Sequence, residues 1–93
     1  MSYTIKFTNA FKKNYKLMRK RGLDLNLLDE VIRKLANREP LEASNKDHAL
    51  SGNFKGFREC HIKPDWLLIY FVENNILTIT MVNTGTHSDL LKM

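Results

Sequence analysis

Between residues 56 and 83 the chain passes through three strand-length stretches separated by two turns of about three residues, and a meander so tightly wound pairs in one way only. Residues 56–63 and 66–72 meet at Lys63-Pro64-Asp65, where proline holds φ and offers no N–H with which to continue a strand. Glu73-Asn74-Asn75 makes the second turn, and residues 76–83 follow it. Connections this short leave no room for a crossover, so each stretch must run antiparallel to the one before it. In the last stretch Leu77, Ile79 and Met81 alternate with Thr78, Thr80 and Val82, the period of a strand with one buried face. The first row is expected to meet the rest of the fold, and the threonine row to stay open.

The preceding half supplies what packs on that sheet. Tyr3, Ile5 and Phe7 alternate with Thr4 and Lys6, which predicts a first strand. Thr8 or Asn9 can cap a helix in which Phe11, Tyr15 and Met18 recur at helical spacing up to Gly22. The other side of that helix carries Lys12, Lys13, Lys16, Arg19 and Lys20, a face that is either solvated or a contact for phosphates. Asp24 can cap a second helix with an apolar stripe of Leu25, Leu28, Val31, Ile32 and Leu35, ending at residues 37–39 before Pro40. The few residues around Gly22 force the two helices to lie antiparallel. Residues 41–47 read as a loop or frayed helix end leading to His48, and Gly52 and Gly56 punctuate the next turn. The expected class is α+β: one N-terminal strand, two antiparallel helices, then a three- to four-stranded antiparallel sheet packed against them. Parallel pairing of the first strand with a late one would close the layer.

A chain of 93 residues is too short to divide into two cores, so residues 1–93 are expected to form one domain. Fifteen Lys and Arg against ten Asp and Glu leave a formal charge of +5, which points to an anionic partner such as nucleic acid, a membrane surface or an acidic protein. No apolar run approaches the ~20 residues of a membrane span, and the first ten residues lack the apolar stretch of a secretory signal. The single cysteine, Cys60, has no internal partner, and alternation puts it on a buried face as core rather than as a nucleophile. A soluble cytoplasmic protein is the expectation.

Polar residues concentrate between Lys46 and Tyr70. Alternation sets Phe57, Glu59 and His61 on one face of their strand and Cys60 and Ile62 on the other, with Arg58 towards the helices. Asp65 begins the partner strand just past the turn, within a few residues of His61, while His48 precedes the hairpin and His87 follows the last strand. The meander returns the end of its third strand to the edge that holds the Lys63 to Asp65 turn, so three histidines and an aspartate can share a cleft. Imidazole titrates near pH ~6.5, so one ring can accept a proton while another donates one. That pair of duties is what cleavage of RNA by its own 2′-hydroxyl requires, with cations to stabilise the crowded phosphorane. Lys46, Lys55, Arg58 and Lys63 are the candidate cations, and Trp66 can stack on a base or pack in the core. Scattered surface histidines are the plain alternative. A metal site finds no support in HxH, HxxxH or CxxC spacing, and no cofactor is expected.

The runs Lys46-Asp47-His48-x-Leu50-x-Gly52, Gly56-Phe57-Arg58-x2-His61-x2-Pro64-Asp65-Trp66-x2-Ile69-Tyr70 and Thr84-Gly85-Thr86-His87-x2-Leu90 together resemble the YafQ branch of the RelE/ParE toxins of bacterial toxin–antitoxin systems. The resemblance implies a RelE-like fold and a ribosome-dependent, metal-independent endoribonuclease that cuts mRNA in the A site of the 70S ribosome. It further implies a cognate antitoxin that wraps and silences the toxin and alone contacts operator DNA. By position it implies a catalytic set of His48, His61, Asp65 and His87, with His87 the general acid, His48 the base, and His61 and Asp65 orienting or stabilising. Arg58 and the nearby lysines are phosphate contacts on the same basis. Members of this branch often carry an aromatic residue near the C-terminus, where this chain reads Asp89-Leu90-Leu91-Lys92-Met93, so Leu91 is the candidate for an apolar base contact. Two other functions suit the fold and charge: a ParE-like inhibitor of gyrase, and a non-catalytic RNA-binding part of the ribosome. A clustered acid and base serves neither.

Overall fold

Thr8 turns the chain from strand into helix and ties both to the sheet. In the computed structural model, which describes residues 2–84 with side chains through residue 82, its N–H donates to the Ile79 carbonyl at 3.1 Å. Its Oγ1 accepts from the Phe11 N–H at 3.2 Å and donates to the Thr80 carbonyl. Strand β1 (Thr4–Phe7) therefore ends where α1 (Asn9–Lys20) begins. Gly22, with φ of 77°, takes the left-handed conformation that closes α1, and Asp24 caps α2 (Leu25–Ala36) through the Asn26 N–H at 3.1 Å. Both caps are the expected ones.

The remaining strands are β2 (His48–Ala49), β3 (Arg58–Lys63), β4 (Trp66–Glu73) and β5 (Ile76–Thr84). They form one sheet in the order β1-β5-β4-β3-β2, with β1 parallel to β5 and every other pair antiparallel. The parallel closure is as expected. The two-residue β2 is new, emerging from a segment that reads as loop because two residues are too few to show a period. Lys63 pairs with Trp66, which leaves Asp65 in the turn rather than at the start of the strand. Asn74 and Asn75 both adopt positive φ, 52° and 62°, the conformation a two-residue hairpin needs to match strand twist.

Phe11, Met18, Leu28, Val31, Ile32 and Ala36 from the helices pack with Cys60, Trp66, Leu68, Tyr70, Leu77, Ile79 and Val82 from the sheet. The opposite face departs from expectation. Ile69 pairs with Met81 but Tyr70 pairs with Ile79, so Thr80 is one residue too many and its Oγ1 donates to the Ile69 carbonyl at 2.7 Å. A bulge of one residue exchanges the faces of everything beyond it. Val82 thus enters the helix-side core, and Met81 joins Leu67, Ile69, Leu50 and Phe57 on the other side. The threonine row is not open: Thr78 and Thr80 are both buried. Trp66 is 2% exposed within the helix-side core, so it packs, and its ring cannot offer a face to a base. Among the described residues no helix is long and apolar enough to cross a membrane.

Candidate active site

On the face away from the helices, β3 presents Glu59 and His61 two residues apart, and β2 sets His48 directly across from Glu59. The three side chains converge. Glu59 is completely buried, with Oε1 3.4 Å from Nε2 of His48 and 3.8 Å from Nε2 of His61. The other nitrogen of each ring faces a main-chain carbonyl: Nδ1 of His48 lies 2.6 Å from the Lys46 oxygen, and Nδ1 of His61 lies 3.2 Å from the Pro64 oxygen. A carbonyl only accepts, so each Nδ1 donates to it, and each ring turns its Nε2 towards the carboxylate. A proton arriving at either Nε2 then sits beside a buried negative charge. Access differs between the two rings, for the His48 side chain is 46% exposed and that of His61 12%.

Local structure explains how a two-residue strand holds His48 in place. Lys46 adopts the left-handed conformation, φ 46° and ψ 46°, which swings its carbonyl under the His48 ring. Asn45 donates from Nδ2 to the His61 carbonyl at 2.7 Å, tying this segment to β3. Asp47, one residue before His48, points to the opposite face, where it accepts from the Tyr70 hydroxyl at 2.5 Å and pairs with Nη2 of Arg58 at 3.4 Å. Burial and the Asp47 hydrogen bond push the Tyr70 hydroxyl pKa well up, and contact with Tyr70 and Asp47 raises that of Arg58. Tyr70 therefore stays neutral and donating at any physiological pH. Burial likewise holds the Cys60 thiol protonated, which fits a core residue and not a nucleophile.

Of the residues singled out in the sequence, the structure brings His48 and His61 together. Asp65 is exposed in the turn, next to the Pro64 carbonyl that His61 contacts. Lys46, Lys55 and Lys63 are exposed. Arg58 faces the helices, as alternation predicts, and so does not share the cleft of the histidines. His87 and Leu91 lie outside the described residues. The backbone of Thr84 pairs with Trp66, so the end of β5 does return to the Pro64-Asp65 turn. Sequence reasoning missed Glu59 as a participant, although the alternation that puts it on the face of His61 was the available signal. It also missed Asp47, Tyr70 and Asn45, whose roles depend on contacts across 16 to 23 residues of chain. No group of three His, Cys, Asp or Glu among the described residues is placed to hold a metal ion.

The fold has known counterparts. A family model described as "Bacterial toxin of type II toxin-antitoxin system, YafQ" matches residues 3–92. This chain belongs to the YafQ toxin family. The mRNA interferase toxin YafQ of Escherichia coli (strain K12) is 40% identical over 87 residues, covering 92% of each chain. The E. coli YafQ solved in complex with the antitoxin DinJ superposes with a TM-score of 0.85 at 37% identity, covering 98% of this chain and 99% of that one. A mutant toxin from Helicobacter pylori, solved with copper bound, gives a TM-score of 0.88 at 39% identity over 96% of this chain and 99% of its own. With relatives this similar, the five-stranded sheet and helix pair are the RelE-like fold of the YafQ toxins, and the resemblance read from the histidine motifs holds at the level of family.

Proposed function

We infer that this YafQ-family toxin is an mRNA interferase, an endoribonuclease that cuts mRNA in the A site of the 70S ribosome and so stops translation. The observation that carries the reading is the convergence of His48 and His61 on buried Glu59, in a chain that the YafQ family model spans almost entirely. The name borne by the E. coli relative agrees with it. Cleavage proceeds by internal attack. Nε2 of His48, the more exposed ring, takes the proton of a 2′-hydroxyl, the 2′-oxygen bonds to the adjacent phosphorus, and the bond to the 5′-oxygen breaks. His87 protonates that departing oxygen, leaving a 2′,3′-cyclic phosphate and a 5′-hydroxyl, so one proton is taken and one is given. Glu59 balances the charge that His48 gains. His61 and Asp65 orient and stabilise, Lys46, Lys55 and Lys63 meet phosphates, and Leu91 contacts a base. Arg58 acts from behind the sheet by holding Asp47, and Trp66 by packing.

A cognate antitoxin silences the toxin in a heteromeric complex and carries the operator-binding surface, as the DinJ complex of the E. coli relative suggests. Residues 1–93 act as a single domain in the cytoplasm, where ribosomes are. Copper in the H. pylori toxin raises the alternative that an ion assists, which EDTA addresses directly. Ribosome-bound mRNA incubated with the toxin and EDTA should be cut, and His87→Ala should lower the rate ~10²–10⁴-fold. Intact mRNA together with arrested growth would remove the nuclease reading and make gyrase the target to assay.

A further inference from the structure

Behind the histidine pair, on the helix side of the sheet, a cleft of about 380 Å³ opens between the end of α2 and strands β3 to β5, a volume within the ~300–1,000 Å³ of small-molecule sites. Leu35, Val72 and Leu77 give it an apolar lining, and Arg38 and Arg58 reach it from different elements. Arg38 stands where a helix most often takes glycine. The Glu39 N–H donates to the Lys34 carbonyl at 2.9 Å and the Arg38 N–H to that of Leu35 at 3.2 Å, the paired bonds that close a helix through a left-handed residue. Its φ is 59°, a conformation that disfavours any side chain. The guanidinium lies 4.3 Å from the centre of the Tyr3 ring and donates to Oδ1 of Asn75 at 3.0 Å. Both partners are neutral, and among the described residues no carboxylate pairs with it. The Arg58 side chain is 42% exposed and meets Asp47 through Nη2 at 3.4 Å. Glu39, the carboxylate in the lining, is held by Nη1 of Arg33 at 2.9 Å.

We propose that this cleft binds a small phosphate monoester, the chemistry of a nucleoside monophosphate, with its phosphate between Arg38 and Arg58 and its ring-bearing body against Leu35, Val72 and Leu77. Guanidinium groups present N–H donors in a plane that matches phosphate oxygens, and two from separate elements supply the charge that a dianion needs. A bare phosphate leaves the apolar lining uncovered, so the body of the ligand adds to affinity. The site stands apart from the nuclease reading, whereas its consequence rests on that reading. Arg58 is shared, for the guanidinium that faces the cleft also holds Asp47, the residue before His48. A phosphate that engages Arg58 competes with Asp47. Occupancy therefore loosens His48 across the sheet and slows cleavage, a coupling between two sites through one side chain.

The test uses the full-length chain with adenosine monophosphate as the probe. Calorimetry should show it binding ~10-fold more tightly than inorganic phosphate or adenosine, each of which keeps only part of the contacts. Arg38→Gly suits the left-handed backbone, so it removes the guanidinium without disturbing the end of α2. It should weaken binding ~10-fold, while cleavage of ribosome-bound mRNA without nucleotide stays at the wild-type rate. Val72→Glu sets a carboxylate in the cleft from a position that is 41% exposed, and should weaken binding likewise if Arg38→Gly fails to fold. Saturating nucleotide should shift the His48 imidazole NMR signals and slow wild-type cleavage, and Arg38→Gly should need ~10-fold more nucleotide for the same effect. Wild-type affinity in both variants would overturn the site, as would inorganic phosphate or adenosine binding as tightly as the nucleotide. His48 signals unmoved at saturation would overturn the coupling through Arg58. A chain that binds the nucleotide at Arg38 and cuts no mRNA would uphold the site and remove the nuclease reading instead.

Discussion

The two faces of the sheet are built from the same strands and obey different rules. Towards the helices, Cys60, Leu68, Leu77, Ile79 and Val82 are wholly buried among apolar neighbours, and the charged pair on that side, Arg58 and Asp47, stays partly exposed. On the reverse, Leu67 and Ile69 are as deeply buried, yet Glu59 lies beside them with no exposure at all. A carboxylate out of water is costly unless its charge is met, and here a proton carried on a facing Nε2 meets it. Side chains adjacent in sequence, Glu59 and Cys60 or Leu67 and Leu68, therefore serve opposite ends. One face holds the fold together, and the other spends some of that stability on placing a charge between two bases.

The contrast is broken most severely by removing bulk from the helix side. Leu68→Ala should lower stability by about 2–5 kcal/mol in chemical denaturation, with cleavage per folded molecule unchanged. A parallel fall in specific activity would show that the two faces are not independent. Glu59→Gln should act in the reverse sense. Losing the buried charge leaves the melting temperature equal or higher, while cleavage drops on the order of 10-fold, part of the ~10²–10⁴ that proton transfer contributes. A large loss of stability with activity preserved would make Glu59 structural. The smallest effect belongs to the link between the faces. Tyr70→Phe deletes the hydrogen bond to Asp47 and should cost about 1.5 kcal/mol, along with some order at His48 visible in its imidazole NMR signals.

Tyr70 also predicts an alkaline limit. Its folded pKa is raised above the ordinary 10.0, so above about pH 10 the unfolded chain has released a proton that the native state retains, and stability falls as pH rises. Below that pH the term is fully present. The raised Cys60 pKa, from an ordinary 9.0, acts with the same sign from about pH 9. Tyr70→Phe should flatten the upper part of this decline.

Much of the fold could be read directly. Thr8 and Asp24 as caps, the single stripe on each helix and the two tight turns all depend on residues within one turn of each other, and each appears where expected. The site was legible in its histidines and in the alternation that sets Arg58 apart from His61. Two things escaped for the same reason. Thr80 looks like one more member of an alternating row, and only its partner strand reveals that it is surplus. His48 looks like a loop residue, because β2 exists solely through pairing with β3.

By itself, the sequence determined every strand and helix but β2, their order, the antiparallel meander and, through the histidine motifs, the YafQ family, because periodicity, capping and turn chemistry act over a few residues. Tertiary structure alone decided that Met81 and Val82 exchange faces, that Trp66 is core, that Asp47 and Tyr70 hold His48 from behind, and that Glu59 lies between the two rings. Those outcomes depend on register between strands, and register is settled by which side chains can be buried together once the chain has closed.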